Sequence, residues 1–326
     1  MFSKIGLTFF PVRGATGVVL ALLVAQPFQA DAQVVGQTTI TIPEPASSPP
    51  TVATLIQNTT TPTNNVTLKL SFYDNFKNLD VADLGKVGKT IGKKIWQGYY
   101  RNDPTQLSNH TLTGNNEKEY YVYPSYAGSS KTALGLNPFS YAADGSLQIT
   151  ATRATAQQSA ALSNYPYYSG MLSGINLYQQ SFGYFEVSAK MATGAGMWPA
   201  FWLLAGNGAW PPEIDVLEMF NGASPNVITS TTHWKSTSNP NAMGYCNFTA
   251  ANAATQYHQY GVLWNANQIT YYLDRAPVCH IATPTQLQAS QMMYMVLDLA
   301  VTQGVNLTTG PQSGTFTVAY VSAYTY

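Results

Sequence analysis

The segment Glu213-Ile214-Asp215-Val216-Leu217-Glu218 places three carboxylates within six residues of a chain in which only 9% of residues are charged. Its apolar residues are strand formers, and the two prolines just before it prevent a regular helix start. In a strand Glu213 and Asp215 share a face, whereas Glu218 falls on the opposite face because side chains alternate. A β-bulge at Val216-Leu217 would return Glu218 to the face of the other two. We therefore expect a bulged strand with three acids on one face.

Three acids on one face repel each other, so the arrangement does not help folding and indicates chemistry. The alternative is a solvent-exposed strand edge whose charges discourage aggregation. Aromatic residues surround the segment: Trp198, Trp202 and Trp210 precede it, and His233-Trp234 follow it. Aromatic rings stack on the apolar faces of sugars, and paired acids catalyse glycosidic chemistry. The surroundings therefore favour a carbohydrate site.

Further motifs accompany the acidic segment in a fixed order. They are Gly183-Tyr184-Phe185-Glu186-Val187, Lys190-Met191 and Gly196-Met197-Trp198-Pro199-Ala200-Phe201-Trp202-Leu203-Leu204. Together with the acidic segment, they resemble glycoside hydrolase family 16 over residues 68 to 326. The six-residue, bulged form of the acidic motif resembles the laminarinase-like and bacterial exopolysaccharide-depolymerase branches of that family.

The resemblance implies a retaining mechanism in which Glu213 is the nucleophile and Glu218 the general acid/base. Retaining glycosidases hold two carboxyl groups about 5 Å apart on either side of the scissile bond. Asp215 lies between the two in sequence, where it could tune both by hydrogen bonding. Its charge is expected to raise the pKa of a neighbouring carboxyl, which suits an acid that keeps its proton near neutral pH. These three residues are the predicted catalytic set.

The resemblance also points to substrate-binding residues. Trp202 and Trp210 match tryptophans that line the family's cleft, and Trp198 shares the face of Trp202 if their segment is a strand. His233 matches a histidine that faces the active site, and Asn116 lies in a segment that edges the cleft. Core packing remains an alternative for each tryptophan, and a structural hydrogen-bonding role remains one for the histidine.

Some positions depart from the family's pattern. Ser188 stands where relatives often carry an arginine beside the cleft, and Arg275 replaces a turn glycine. Thr302-Gln303-Gly304 replaces the usual Gly-Gly pair. The acidic motif itself is intact, so these departures affect the expected substrate more than the expected reaction.

The chain order predicts three segments. Residues 1–32 are a signal peptide, because basic residues precede an apolar run and Ala30-Asp31-Ala32 is a cleavage signature. Residues 33–66, rich in Thr, Pro and Ser, are a disordered linker. Residues 67–326 form the catalytic domain. The expected location is secreted or periplasmic, with no membrane association once the signal is removed.

The fold class is predicted to be all-β. Short alternating segments separated by Gly, Pro and Asn are typical of sandwiches and barrels, and the resemblance implies a β-sandwich jelly roll of the concanavalin A-like lectin and glucanase type. The strands expected from alternation are Leu68 to Phe72, Leu147 to Ala151, Tyr184 to Met191, Ile269 to Leu273 and Thr315 to Tyr324. One short helix is expected between Thr285 and Met292.

Other chemistries find little support in the sequence. The formal net charge is zero, so no nucleic-acid partner is expected. Nucleotide-binding glycine loops, a serine-hydrolase elbow and zinc-ligand spacing are all missing. The resemblance allows a structural calcium ion, but no ligand set can be read, so no cofactor or metal is predicted. Cys246 and Cys279 could form one disulfide or remain two thiols.

The sequence as a whole predicts a monomeric, secreted, retaining endo-β-glycosidase. Its substrate would be a polysaccharide, with cleavage of internal β-1,3 or mixed β-1,3/1,4 bonds of a glucan or exopolysaccharide. Two alternatives remain open: a transglycosylase on the same scaffold, which shares the nucleophile chemistry, and a non-catalytic glucan-binding lectin. The lectin would have little reason to keep both glutamates.

Overall fold

A computed structural model describes residues 52–56, 65–79, 81–85, 96–101, 103–128, 132–220, 226–289, 291–302 and 304–326. Strands are the dominant regular element among these residues, as their alternating apolar pattern predicts. The strands are β1 (Val52–Ile56), β2 (Asn65–Asp74), β3 (Glu119–Tyr121), β4 (Phe139–Tyr141), β5 (Leu147–Arg153), β6 (Tyr167–Ser169), β7 (Met171–Ser173), β8 (Gly183–Lys190), β9 (Met197–Ala205), β10 (Glu213–Glu218), β11 (Val227–Trp234), β12 (Ala242–Thr249), β13 (His258–Trp264), β14 (Gln268–Leu273), β15 (Ala276–Ala282), β16 (Met293–Val301) and β17 (Ser313–Thr325). The helices are α1 (Ala156–Ala161), α2 (Thr285–Gln288) and the 3-10 helices Val81–Gly85, Leu107–Asn109 and Thr113–Asn115.

Within the described residues the strands form one sheet of 11 strands and one of 6. The smaller sheet has the order β12-β11-β10-β9-β16-β7. The larger sheet has the order β15-β14-β13-β8-β17-β5-β6-β3, with β2 also beside β17, β1 beside β2 and β4 beside β5. The acidic strand β10 therefore lies inside the smaller sheet, between β9 and β11.

The two faces of the smaller sheet differ, and β9 shows how. Phe201 and Leu203 belong to the main core, which also contains residues of the larger sheet such as Val187. Trp202 and Leu204, which alternate with them, belong to a separate cluster on the other face. We call this second face, which carries Trp202 and Leu204, the cleft face. Alternation along β9 thus assigns one face to holding the sandwich together and leaves the other to the site.

This architecture confirms the predicted all-β sandwich. Each of the five strands expected from alternation overlaps an observed strand, and the acidic segment is a strand in full. The predicted short helix forms, but it ends at Gln288 rather than Met292, because the chain then enters β16. No helix in the described part of the chain is long and apolar enough to cross a membrane.

The segment predictions meet the structure only in part. The predicted signal peptide, residues 1–32, lies outside the described residues. The prediction of a disordered linker is wrong for Val52–Ile56, which pairs antiparallel with residues 65–69 at the start of β2. The remaining linker residues up to 64 also lie outside the described part. Regular pairing therefore begins before residue 67, in a segment whose Thr and Pro content hid a strand.

A disulfide resolves the alternative left open for the cysteines. Cys246 on β12 is bonded to Cys279 on β15. β12 is an edge strand of the smaller sheet, and β15 is the outermost strand at one end of the larger sheet. The bond therefore joins the two sheets along one side of the sandwich.

The unusual Arg275 lies in the turn between β14 and β15 of the larger sheet, where it meets the buried carboxylate of Glu186. Its guanidinium donates to both carboxylate oxygens of Glu186 at 2.8 Å. Tyr184 and Tyr320 donate to the same carboxylate at 2.9 Å. Ser188 is on β8, in register with Tyr320. These two departures from the family pattern thus belong to the larger sheet.

Candidate active site

The predicted β-bulge is present in β10. Against β9, Asp215 is opposite Trp202 and the next paired residue, Leu217, is opposite Phe201. Against β11, Asp215 is opposite Thr231 and Glu218 is opposite Thr229. Val216 has no partner in either register and is the extra residue.

The bulge brings the three acids to one face. Counted on β9, the partners of Glu213, Asp215 and Glu218 are residues 204, 202 and 200, which are two residues apart each time. Residues two apart on a strand share a face, so all three carboxylates lie on the cleft face. Each of them is 1% exposed. The backbone separation of the outer two is about 13 Å, from four strand steps of about 3.3 Å.

A buried serine supports the bulge from behind. Ser230 on β11 donates its hydroxyl proton to the carbonyl oxygen of Val216 at 2.7 Å. Because Val216 is outside the register, this bond gives its carbonyl a partner that the ladder does not supply. Two residues along the same strand, the hydroxyls of Thr232 and Tyr271 are 2.7 Å apart. Sequence reasoning identified the bulge but missed Ser230.

Two of the predicted tryptophans bond the outer carboxylates. The indole nitrogen of Trp198 donates to Oε1 of Glu218 at 3.0 Å. That of Trp210 donates to Oε2 of Glu213 at 3.0 Å. Trp198 is buried, whereas Trp210 is partly exposed beside the strand. Each outer carboxylate therefore has a fixed donor, which limits its rotation.

Trp202 has a different partner, which sequence reasoning missed. Its indole nitrogen donates to Oδ1 of Asp298 at 2.5 Å, and the hydroxyl of Tyr121 donates to Oδ2 at 2.8 Å. Asp298 on β16 is opposite Ala200, which is opposite Glu218, so its side chain is on the cleft face. The only signal in the sequence was one acid within the apolar run Met293–Val301.

His233 is on the cleft face beside the acids, in register with Glu213. Its Nε2 is 3.5 Å from Oδ2 of Asp215 and 3.9 Å from Oε1 of Glu213. Its Nδ1 is 3.1 Å from Oδ1 of Asn241, which fits an Nδ1–H donor. Burial lowers the pKa of His233, opposed by the hydrogen bond to Asn241. The imidazole is thus favoured in its neutral form.

Asn116 is less informative. It is exposed and follows the 3-10 helix Thr113–Asn115 in a left-handed conformation with φ 55°. Lys118 donates to its side-chain oxygen at 2.7 Å. The structure therefore places Asn116 on a turn that precedes β3, and its substrate role stays a prediction.

Glu213, Asp215 and His233 also form, within the described residues, the group whose spacing would suit a metal ion, with ligand atoms within 4.8 Å of one another. The donor set argues for acid–base chemistry instead. One oxygen of Glu213 already accepts the Trp210 indole proton, and the neutral histidine lies 3.5 Å from Asp215 and 3.9 Å from Glu213.

A two-sheet β-sandwich that presents buried paired acids and tryptophans on one face is the arrangement of a glycoside hydrolase. The comparison with protein families agrees. The model of glycosyl hydrolases family 16 matches residues 138–322, more than half of the chain, and the chain belongs to this family.

Individual relatives refine the picture. The chain is 37% identical over 234 residues to the endo-1,3-1,4-beta-glycanase EglC of Rhizobium meliloti. It is 36% identical over 234 residues to ExsH of the same organism, which is also named an endo-1,3-1,4-beta-glycanase. Each match covers 72% of this chain and 46% of the relative, so the chain spans about half the length of these curated proteins. A solved structure of a mutant of SCLam, a non-specific endo-beta-1,3(4)-glucanase, aligns with a TM-score of 0.60 at 24% identity, covering 79% of this chain and 95% of that one. This last likeness supports the jelly-roll fold.

Proposed function

We propose that this protein is a secreted, retaining endo-β-glycosidase that hydrolyses internal β-1,3 or mixed β-1,3/1,4 bonds of a glucan or exopolysaccharide. The observation that carries the proposal is the bulged strand β10, which sets Glu213, Asp215 and Glu218 on one buried face. Family membership and the names of the two Rhizobium relatives support the reaction class and the linkage.

In the proposed reaction Glu213 attacks the anomeric carbon while Glu218 protonates the glycosidic oxygen. The bond from the anomeric carbon to that oxygen breaks, and a covalent glycosyl-enzyme forms. Glu218 then removes a proton from water, which attacks the anomeric carbon and releases Glu213. The Trp210 indole holds one oxygen of the nucleophile, and the Trp198 indole holds one oxygen of the acid/base.

Asp215 and His233 complete the acid–base group. Repulsion among neighbouring carboxylates favours a proton on one of them, as the acid step requires. With Nδ1 protonated, the lone pair on Nε2 of the neutral imidazole lies 3.5 Å from Asp215, so it can accept a hydrogen bond from that carboxyl when the carboxyl holds the proton. Asp215 is therefore the nearer of the two acids on which His233 acts, at 3.5 Å against 3.9 Å for Glu213.

The test is release of reducing ends from laminarin and lichenan by the mature protein, beside Glu213→Gln and Glu218→Gln. We expect activity in the parent and a loss of several orders of magnitude in both variants. Binding without hydrolysis on a panel of β-glucans and bacterial exopolysaccharides would favour the lectin. Longer products from an added acceptor sugar would favour the transglycosylase. Unchanged activity in Glu213→Gln would refute the mechanism.

A further inference from the structure

The edge strand β12 continues the cleft face beyond the acids. Tyr245 is in register with Thr231, and Thr231 is in register with Asp215. Met243 is likewise in register with His233. Residues opposite one another in register share a face. Tyr245 is 45% exposed and Met243 39% exposed, and both therefore stand on the same face as the carboxylates, open to solvent.

The proposed mechanism fixes the direction in which a sugar chain must cross this face. The nucleophile and the acid/base act from opposite sides of the scissile bond. Because Glu213 and Glu218 come from one strand, with Asp215 between them, the chain must pass between the two and across the strand. It therefore lies over the row of residues in register with Asp215.

That row crosses the sheet without interruption, from buried residues at the acids to an exposed residue on the edge strand. From one side it consists of Val296, Trp202, Asp215, Thr231 and Tyr245. Tyr245 is two strands from Asp215, or about 10 Å at a spacing of about 4.8 Å per strand. A polymer that passes between the two glutamates therefore reaches Tyr245 beyond the sugars at the scissile bond.

The chemistry of this side suits a neutral sugar. The hydroxyl of Thr231, between Asp215 and Tyr245, is buried and has no hydrogen-bond partner among the described residues. The strand Ala242–Thr249 carries no charged residue. A tyrosine ring offers an apolar face on which a pyranose can stack, and a hydroxyl nearby can bond the sugar.

We propose that Tyr245 is the stacking platform of a remote sugar-binding subsite, which recognises a ring of the β-glucan chain outside the catalytic pair, with Met243 beside it. This inference rests on the proposed function. It makes β12 a determinant of chain-length preference, because a short oligosaccharide held at the acids does not reach Tyr245.

The test compares the wild type, Tyr245→Ala and Tyr245→Phe on a disaccharide, which has one sugar on each side of the scissile bond, on longer oligosaccharides of the same linkage and on laminarin. For Tyr245→Ala we expect kcat/KM on laminarin to fall roughly tenfold, mostly through KM, from the lost apolar contact. The disaccharide should be cleaved by Tyr245→Ala at the wild-type rate. Tyr245→Phe keeps the ring and should behave as the wild type.

A matched control is Tyr141→Ala, because Tyr141 is 46% exposed but lies on β4 of the larger sheet. It should leave both substrates unaffected. Equal kinetics of Tyr245→Ala and the wild type at every chain length would overturn the subsite. So would light scattering that shows a dimer broken by Tyr245→Ala, since the patch would then bind a second copy.

The subsite can fail separately from the reaction. One outcome separates them: the wild type hydrolyses no β-glucan, but it is retarded more than Tyr245→Ala in a native gel that contains laminarin. In that case the proposed reaction is wrong and the proposed binding subsite stands. If hydrolysis is normal and both proteins are retarded equally, the reaction stands and the subsite is wrong.

Discussion

Replacing Ser230 by alanine tests whether the bulge positions the acid/base. The hydroxyl that supports the Val216 carbonyl is lost, and a carbonyl without a partner remains in a buried strand. The hydrogen bond itself contributes about 0.5–1.5 kcal/mol, and an unsatisfied buried acceptor costs about 1–3 kcal/mol. We therefore expect the free energy of unfolding to fall by about 2 kcal/mol.

The effect on catalysis follows from strand geometry. A strand that loses its bulge turns every later side chain to the opposite face, so Glu218 would leave the cleft face. If the bulged strand is destabilised by about 2 kcal/mol, the ratio of molecules with the bulge to molecules without it falls by about 30-fold. Small misplacements of a catalytic group cost up to about 100-fold in rate. For Ser230→Ala we expect kcat to fall by about 10- to 100-fold with a small change in KM.

Thr232→Val is the matched control. Thr232 is two residues along the same strand, and its hydroxyl also makes one buried hydrogen bond, with Tyr271 at 2.7 Å. It has no contact with the bulge in the register of β10 and β11. Urea unfolding should show similar losses of stability in the two variants, and initial rates on laminarin should fall only in Ser230→Ala. Full kcat in Ser230→Ala, with its stability reduced, would refute the positioning role.

Three other perturbations have defined outcomes. Asp298→Ala leaves two buried donors without their acceptor. Urea unfolding should therefore show that the free energy of unfolding falls by about 2–6 kcal/mol, and steady-state kinetics should show a raised KM. Wild-type values for both quantities would contradict this. Replacing Cys246 and Cys279 together by serine removes a disulfide between residues 33 apart in sequence. The free energy of unfolding should fall by about 3–4 kcal/mol, which urea unfolding shows as a lower midpoint. An unchanged midpoint would contradict this stabilising role of the disulfide. Burial lowers the pKa of His110 and His233. Their contribution to stability is therefore present above pH 6.5 and lost as the pH falls towards the pKa of the folded state. The drop in Tm from pH 8 to pH 5 should be smaller in His110→Gln than in the wild type.

The acidic strand was predictable because its information is local. Because side chains alternate along a strand, Glu218 can share the face of Glu213 and Asp215 only if the strand contains a bulge. The structure shows that bulge at Val216. The prediction that Trp198 and Trp202 share a face needed only the spacing of four residues along one strand. Such features depend on a few neighbouring residues and not on the arrangement of the two sheets.

The rest depends on contacts between distant segments. Asp298 is 96 residues from Trp202, and Ser230 is 14 residues from Val216, so no local pattern pairs them. The strand Val52–Ile56 is hidden because its apolar residues lie among Thr and Pro, and only pairing with β2 makes it a strand. Tyr245 required the order of strands in the smaller sheet. The sequence therefore predicts the acidic strand β10 better than the distant residues that support it.

The most direct test of the central claim is to trap the glycosyl-enzyme. The protein is incubated with a 2-deoxy-2-fluoro β-glucosyl oligosaccharide that carries an activated leaving group, and peptide mass spectrometry locates the added sugar. We expect stoichiometric labelling of Glu213. Because the activated leaving group needs no proton from Glu218, Ser230→Ala should be labelled as fast as the wild type. A label on Glu218 or Asp215 would contradict the assignment of the nucleophile. Hydrolysis of laminarin that releases the inverted anomer, with no label on any residue, would contradict the retaining mechanism.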